Sequence, residues 1–134
     1  MPKFSGYSLT NLRQAVPDLQ RLFRQVVETA DCMVDCGYRG EKAQEEVFNK
    51  GYSKAHFGSS PHNYLPSYAV DCIPYPSKYS NEDKLVEFAN YVKIVAIDLG
   101  IDVVWGGDWS GNYGFKRHGD LPHWEISGWK KLVK

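Results

Sequence analysis

No stretch of this 134-residue chain approaches the ~20 consecutive apolar residues of a membrane span. The opening Met1-Pro2-Lys3-Phe4-Ser5-Gly6-Tyr7 lacks the apolar centre of a secretory signal, so the expected site of synthesis and residence is a cytoplasm. Net charge is also missing. Sixteen Lys and Arg balance sixteen Asp and Glu, which removes the electrostatic case for nucleic acid or an anionic membrane as partner. Cysteine is scarce and odd in number: Cys32, Cys36 and Cys72 make a poor disulfide framework. Without a second pair to complement Cys32-x-x-x-Cys36, a zinc site of the all-cysteine kind is excluded, and the thiols read as buried and free. There is no internal repeat, linker or low-complexity tract, so residues 1–134 are expected to form one domain and to act as a monomer. What the chain does have is aromatic surface, with nine Tyr and four Trp, suited to a core or to the wall of a groove.

Apolar residues at Leu19, Leu22, Phe23, Val26, Val27 and Ala30 recur every three or four positions and predict a helix beginning at Pro17. A shorter helix is expected before it, from near Thr10. Residues 32–38 read as a strand, and Glu41 to Lys50 as a helix with Ala43, Val47 and Phe48 inward. Tyr52 to Pro66 has no periodicity and is rich in Gly, Ser and Pro, which marks a long functional loop. A second strand is expected from Tyr68 to Ile73. The next helix begins at the acidic Ser80-Asn81-Glu82-Asp83 and ends at Gly100. Strands follow at 101–105 and 123–126, separated by a second polar, glycine-rich loop. Helices first, then strands mixed with helices, point to an α+β fold with a small central antiparallel sheet.

The chemistry-bearing residues gather at two places. Ser60-Pro61-His62 runs through a loop into Ala69-Val70-Asp71 on a strand, and Asp120-Leu121-Pro122-His123 opens another strand. A catalytic zinc takes three protein ligands, and imidazole nitrogen and carboxylate oxygen both serve. The chain has only four histidines, His56, His62, His118 and His123, and spacing alone does not choose among them.

These segments, together with Trp105-Gly106-Gly107-Asp108-Trp109 and the upstream Gly37-Tyr38-Arg39 with Gln44, resemble the zinc peptidases of the D-Ala-D-Ala carboxypeptidase and L-alanyl-D-glutamate endopeptidase family. Many members are phage endolysins, and the fold is shared with the Hedgehog signalling domain, with N-terminal and crossover helices. The resemblance covers about Asp35 to Ile126. It implies that His62, Asp71 and His123 hold Zn2+ and that Asp120 is the general base toward the attacking water. It implies Arg39 as the stabiliser of the oxyanion. Ser60 and Trp124 are expected at the substrate, and Glu125 is either a partner of a ligand or a rival base. The implied substrate is a stem peptide of peptidoglycan, reached once the host membrane has been opened. The interval from His62 to Asp71 is two residues longer than in the commonest form of the motif. Alternatives are a D,D-carboxypeptidase or dipeptidase acting on wall precursors, and a non-catalytic metal-binding phage structural module.

Overall fold

A computed structural model of the protein describes residues 2–133. Its elements are α1 (Gly6–Arg13), α2 (Pro17–Thr29), β1 (Cys32–Cys36), α3 (Glu41–Asn49), β2 (Ala69–Pro74), α4 (Glu82–Leu99), β3 (Val103–Trp105) and β4 (His123–Ile126). The strands form one antiparallel sheet in the order β1-β2-β4-β3. This is the expected α+β arrangement, and α4 is its crossover, carrying the chain from β2 to β3 while β4 fills the place between them.

Strand periodicity divides the sheet into two faces with different tasks. On one face Val34 lies opposite Cys72 and Val70 opposite Trp124, all buried. That face packs on the apolar stripe of α2 (Leu19, Leu22, Phe23, Val26, Val27) and on Leu85, Phe88, Val92 and Val95 of α4. The other face carries Cys36, Asp71 and His123 on one rung, with Glu125 two residues beyond His123. The helix termini follow local rules. Asn81 Oδ1 accepts the Lys84 N–H at the start of α4, and Gly100 ends it at φ 69°.

The structure revises three sequence readings. First, α1 begins at Gly6 rather than near Thr10, and β1 stops at Cys36. At Gly37 a Cβ would overlap the Asn11 carbonyl oxygen, so the chain leaves the sheet where α1 crosses it. Second, in α3 the buried residue is Gln44, while Ala43 is exposed and Val47 and Phe48 are half-buried. That helix forms a wall of the groove described below, and its inward position is polar because it serves a hydrogen-bond network. Third, Cys32 and Cys72 are buried free thiols as expected, but Cys36 is only half-buried.

No described helix is long and apolar enough to cross a membrane.

Candidate active site

The chemical face of the sheet forms the floor of a groove of about 1320 Å³. That exceeds the size typical of small-molecule pockets, and it suits a segment of polymer. One wall comes from α3 and the loop after it, the other from the loop between β3 and β4.

Asp71 and His123 face each other across the β2–β4 ladder, so their spacing is set by backbone pairing. His62 comes from the loop. It sits in a 3-10 turn, Pro61–Asn63, started by Ser60, whose Oγ accepts the His62 N–H at 3.2 Å. Asn63 returns the favour by accepting the Ser60 N–H at 3.0 Å. Beyond the turn, Ser67 Oγ donates to the Ala69 carbonyl at 2.7 Å, with the Gly37 and Pro61 carbonyls at 3.2 and 3.3 Å, and the interval protrudes at Leu65.

Three donor atoms meet as a result. His62 Nε2 lies 3.2 Å from His123 Nδ1 and 3.3 Å from Asp71 Oδ1, and His123 Nδ1 lies 3.4 Å from Asp71 Oδ1. A tetrahedral ion with ligand bonds of about 2.0–2.1 Å holds its donors about 3.3–3.4 Å apart, because the edge of a tetrahedron is 1.63 times its radius. The trio therefore fits one such ion.

The remaining atoms of the three residues are held from behind. His62 Nδ1 faces the Gly37 carbonyl oxygen at 2.7 Å, and His123 Nε2 faces Glu125 Oε1 at 2.8 Å. If these nitrogens carry the protons, both rings present a lone pair to the ion. Asp71 divides its carboxylate. Oδ1 turns to the histidines, and Oδ2 accepts Arg39 Nη2 at 3.3 Å. Arg39 Nη1 donates to Gln44 Oε1 at 3.1 Å. The fully buried Gln44 donates to Ser53 Oγ and the Ala55 carbonyl and accepts from Asn63, so one amide ties the arginine to both loops.

The electrostatics favour a cation. Burial works against charge on His62, but the Asp71 carboxylate overcomes it and lifts the imidazole to about 10. Asp71 is held well below the usual carboxylate range despite burial, by His62 and His123. Asp120 behaves in the opposite way. Burial, then the Asp71 charge, raises its carboxyl to about 6. An oxygen of Asp120 lies within 4.8 Å of donor atoms of both Asp71 and His123. The Trp-Gly-Gly turn makes that approach possible. The Asp120 N–H donates to the Gly106 carbonyl at 2.8 Å, and a Cβ on Gly106 would overlap the Asp120 carbonyl oxygen and come within 2.9 Å of the His123 Cβ.

Other expected residues fall elsewhere. Trp124 does not reach the groove: it is 1% exposed, T-shaped to Phe23 and stacked on Trp105 in the core. Alternation along β4 sends it to the face opposite His123, so its expected contact with substrate is corrected. Ser60 lines the groove but spends its hydroxyl on the turn that presents His62. His56 pairs with Glu45 at 2.9 Å, and His118 lies exposed in the β3–β4 loop, outside the donor cluster. Cys36 was missed. It sits opposite Asp71 with Sγ 3.8 Å from His62 Nδ1. Trp109, from the Trp-Gly-Gly segment, lines the groove with its ring 4.6 Å from that of His123.

Two imidazoles and a carboxylate spaced for one ion, beside a carboxyl that burial raises to about 6, form a donor set of the kind that metal-assisted hydrolysis needs. Comparison with known proteins narrows the class: residues 1–126 match the phage L-alanyl-D-glutamate peptidase family, and the chain belongs to it. It is similar in structure to the Serratia marcescens L-Ala D-Glu endopeptidase ChiX, with a TM-score of 0.74 and 28% sequence identity over 98% of this chain and 94% of that one. No curated protein matches the chain. The protein is therefore a peptidase of the L-alanyl-D-glutamate type.

Proposed function

We propose that the chain is a single zinc-dependent catalytic domain that cuts the bond between L-Ala and D-Glu in peptidoglycan stem peptides, and that it serves a phage in opening the host wall. The observation that carries the metal reading is the near-equilateral triangle of His62 Nε2, His123 Nδ1 and Asp71 Oδ1. His62, Asp71 and His123 are the proposed ligands. Nitrogen and carboxylate donors at tetrahedral spacing suit zinc better than the larger, oxygen-seeking cations. When bound, the ion supplies a Lewis acid that polarises the scissile carbonyl and acidifies water.

The chain's own residues do the rest. Asp120, its carboxyl raised by burial, takes the proton of the attacking water and returns it to the departing amine of the glutamate. Arg39 fixes the outer oxygen of Asp71 and keeps further N–H donors for the oxyanion, since only two of its five are engaged in the hydrogen bonds above. Glu125 holds the His123 ring, and Ser60 holds the turn of His62. Glu125 is thus assigned to the histidine rather than to the water. The route to the wall follows family habit: the enzyme accumulates in the host cytoplasm and reaches peptidoglycan after the membrane is permeabilised.

The test combines metal content by mass spectrometry with product analysis on purified Gram-negative peptidoglycan. One zinc per chain and new amino-terminal glutamate are expected, and both should be lost in His62→Ala. Release of terminal D-Ala in place of glutamate would move the enzyme to the carboxypeptidases. A chain that binds zinc yet cleaves nothing would be a binding module.

A further inference from the structure

We propose that Lys54, with the aromatic shelf of Trp109 and Tyr113, forms a subsite for a stem-peptide carboxylate beyond the glutamate. This rests on the peptidase reading of the same groove. The shelf starts at the donor cluster. The Trp109 ring lies 4.6 Å from that of His123, Tyr113 lies 5.5 Å from Trp109, and Lys54 Nζ stands 5.2 Å over the Tyr113 ring. All three residues line the groove. Lys54 comes from the loop after α3 and Tyr113 from the loop between β3 and β4, so this contact joins the two walls.

The charges give the shelf its direction. The groove is acidic at the donor cluster, where Asp71, Asp120 and Glu125 gather, and the one guanidinium there is engaged with Asp71. Apart from the ion and the Arg39 donors, which the reacting bond occupies, that end offers a further substrate carboxylate only like charge. Lys54 is not ion-paired among the described residues; the lysines that have carboxylate partners are Lys84 and Lys93. Its ammonium is exposed, and the aromatic face beneath it limits where it can go. The glutamate's α-carboxylate is fixed beside the scissile nitrogen and stays at the cluster. Successive separations of 4.6, 5.5 and 5.2 Å carry the shelf at most about 15 Å from the His123 ring, room for up to about four residues of extended chain at ~3.3 Å each. The group that reaches Lys54 is therefore a carboxylate of a later residue.

Two synthetic stem tetrapeptides decide the matter, one with free carboxylates after the glutamate and one with these converted to carboxamides. Wild type should show a KM lower by roughly two- to fivefold for the acid, the size of one exposed ion pair, with kcat unchanged. Lys54→Met keeps the stem length over Tyr113 and should treat the two peptides alike, while Lys54→Arg should restore the preference. Equal KM values in wild type would overturn the subsite, as would an undiminished preference in Lys54→Met. Calorimetric binding of both peptides to Asp120→Asn, with and without Lys54→Met, reads the same coupling without hydrolysis. If wild type cleaves neither peptide, the peptidase reading fails, and the calorimetry still decides the subsite.

Discussion

Replacing Asp120 by Asn should stabilise the metal-free protein while abolishing hydrolysis. The Asp120 carboxyl titrates at about 6 in the fold against 3.8 as its ordinary value, because burial and the Asp71 charge favour the neutral acid. The folded chain thus holds this proton more tightly than the unfolded chain does. That contribution to stability is complete below the ordinary value and is lost as pH rises through about 6. At pH 7 the ionised carboxylate costs about 3 kcal/mol, from a gap of about two units at 1.36 kcal/mol each. Asn removes the charge at nearly constant shape, and no side-chain hydrogen bond of Asp120 has to be replaced. For a domain of this size the gain corresponds to about 10 °C in melting temperature. Thermal unfolding in chelator should show the variant melting higher than wild type at pH 7–8 and level with it at pH 4. Adding zinc should narrow the gap, since a cation stabilises the ionised form. The same variant should retain metal and release no product. The reasoning is refuted if the two proteins melt together at pH 7, or if their separation is the same at both pH values.

The shell behind the donors gives further expectations. Glu125→Gln should weaken metal affinity by about 10- to 100-fold, measured by competition with a chromogenic chelator, with kcat nearly restored at saturating metal. A large fall in kcat with unchanged affinity would make Glu125 the base instead. Trp124→Ala should cost about 3–5 kcal/mol in urea unfolding and leave KM of the folded fraction unchanged; a raised KM would return Trp124 to the substrate. Gly106→Ala should push Asp120 and His123 away from the floor of the groove, which metal titration would record as weaker binding.

Sequence carried the fold class and the elements with strong periodicity, because α2 and α4 bury continuous stripes. It carried the donor residues for a different reason: His62, Asp71, Asp120 and His123 stand in short segments whose order is distinctive. The groups behind them were harder to see. Cys36 meets Asp71 only through the β1–β2 register, and its bulge between Val34 and Cys36 leaves no mark in the linear pattern. Gln44 stood in the arginine-bearing segment of the resemblance, but apolar periodicity cannot flag a buried amide that satisfies two loops. Trp124 could have been placed correctly: it neighbours His123 on a strand, and neighbours on a strand face opposite ways. Lys54, Tyr113 and Trp109 come from segments without periodicity, and only the fold brings them together.

Two of the proposed ligands share a rung of the sheet, and the third hangs from a loop pinned at Asn63 and Ser67. Catalytic geometry is thereby uncoupled from the length of the segment between those pins. Tyr64 to Pro66 is a place where residues can be gained without disturbing the rung, and Leu65 there is 69% exposed. For an engineer, this is the insertion point: a wall-anchoring module or an affinity handle grafted at Leu65 would ride on the enzyme without entering its chemistry. For a lineage, it is where length can change without moving the rung.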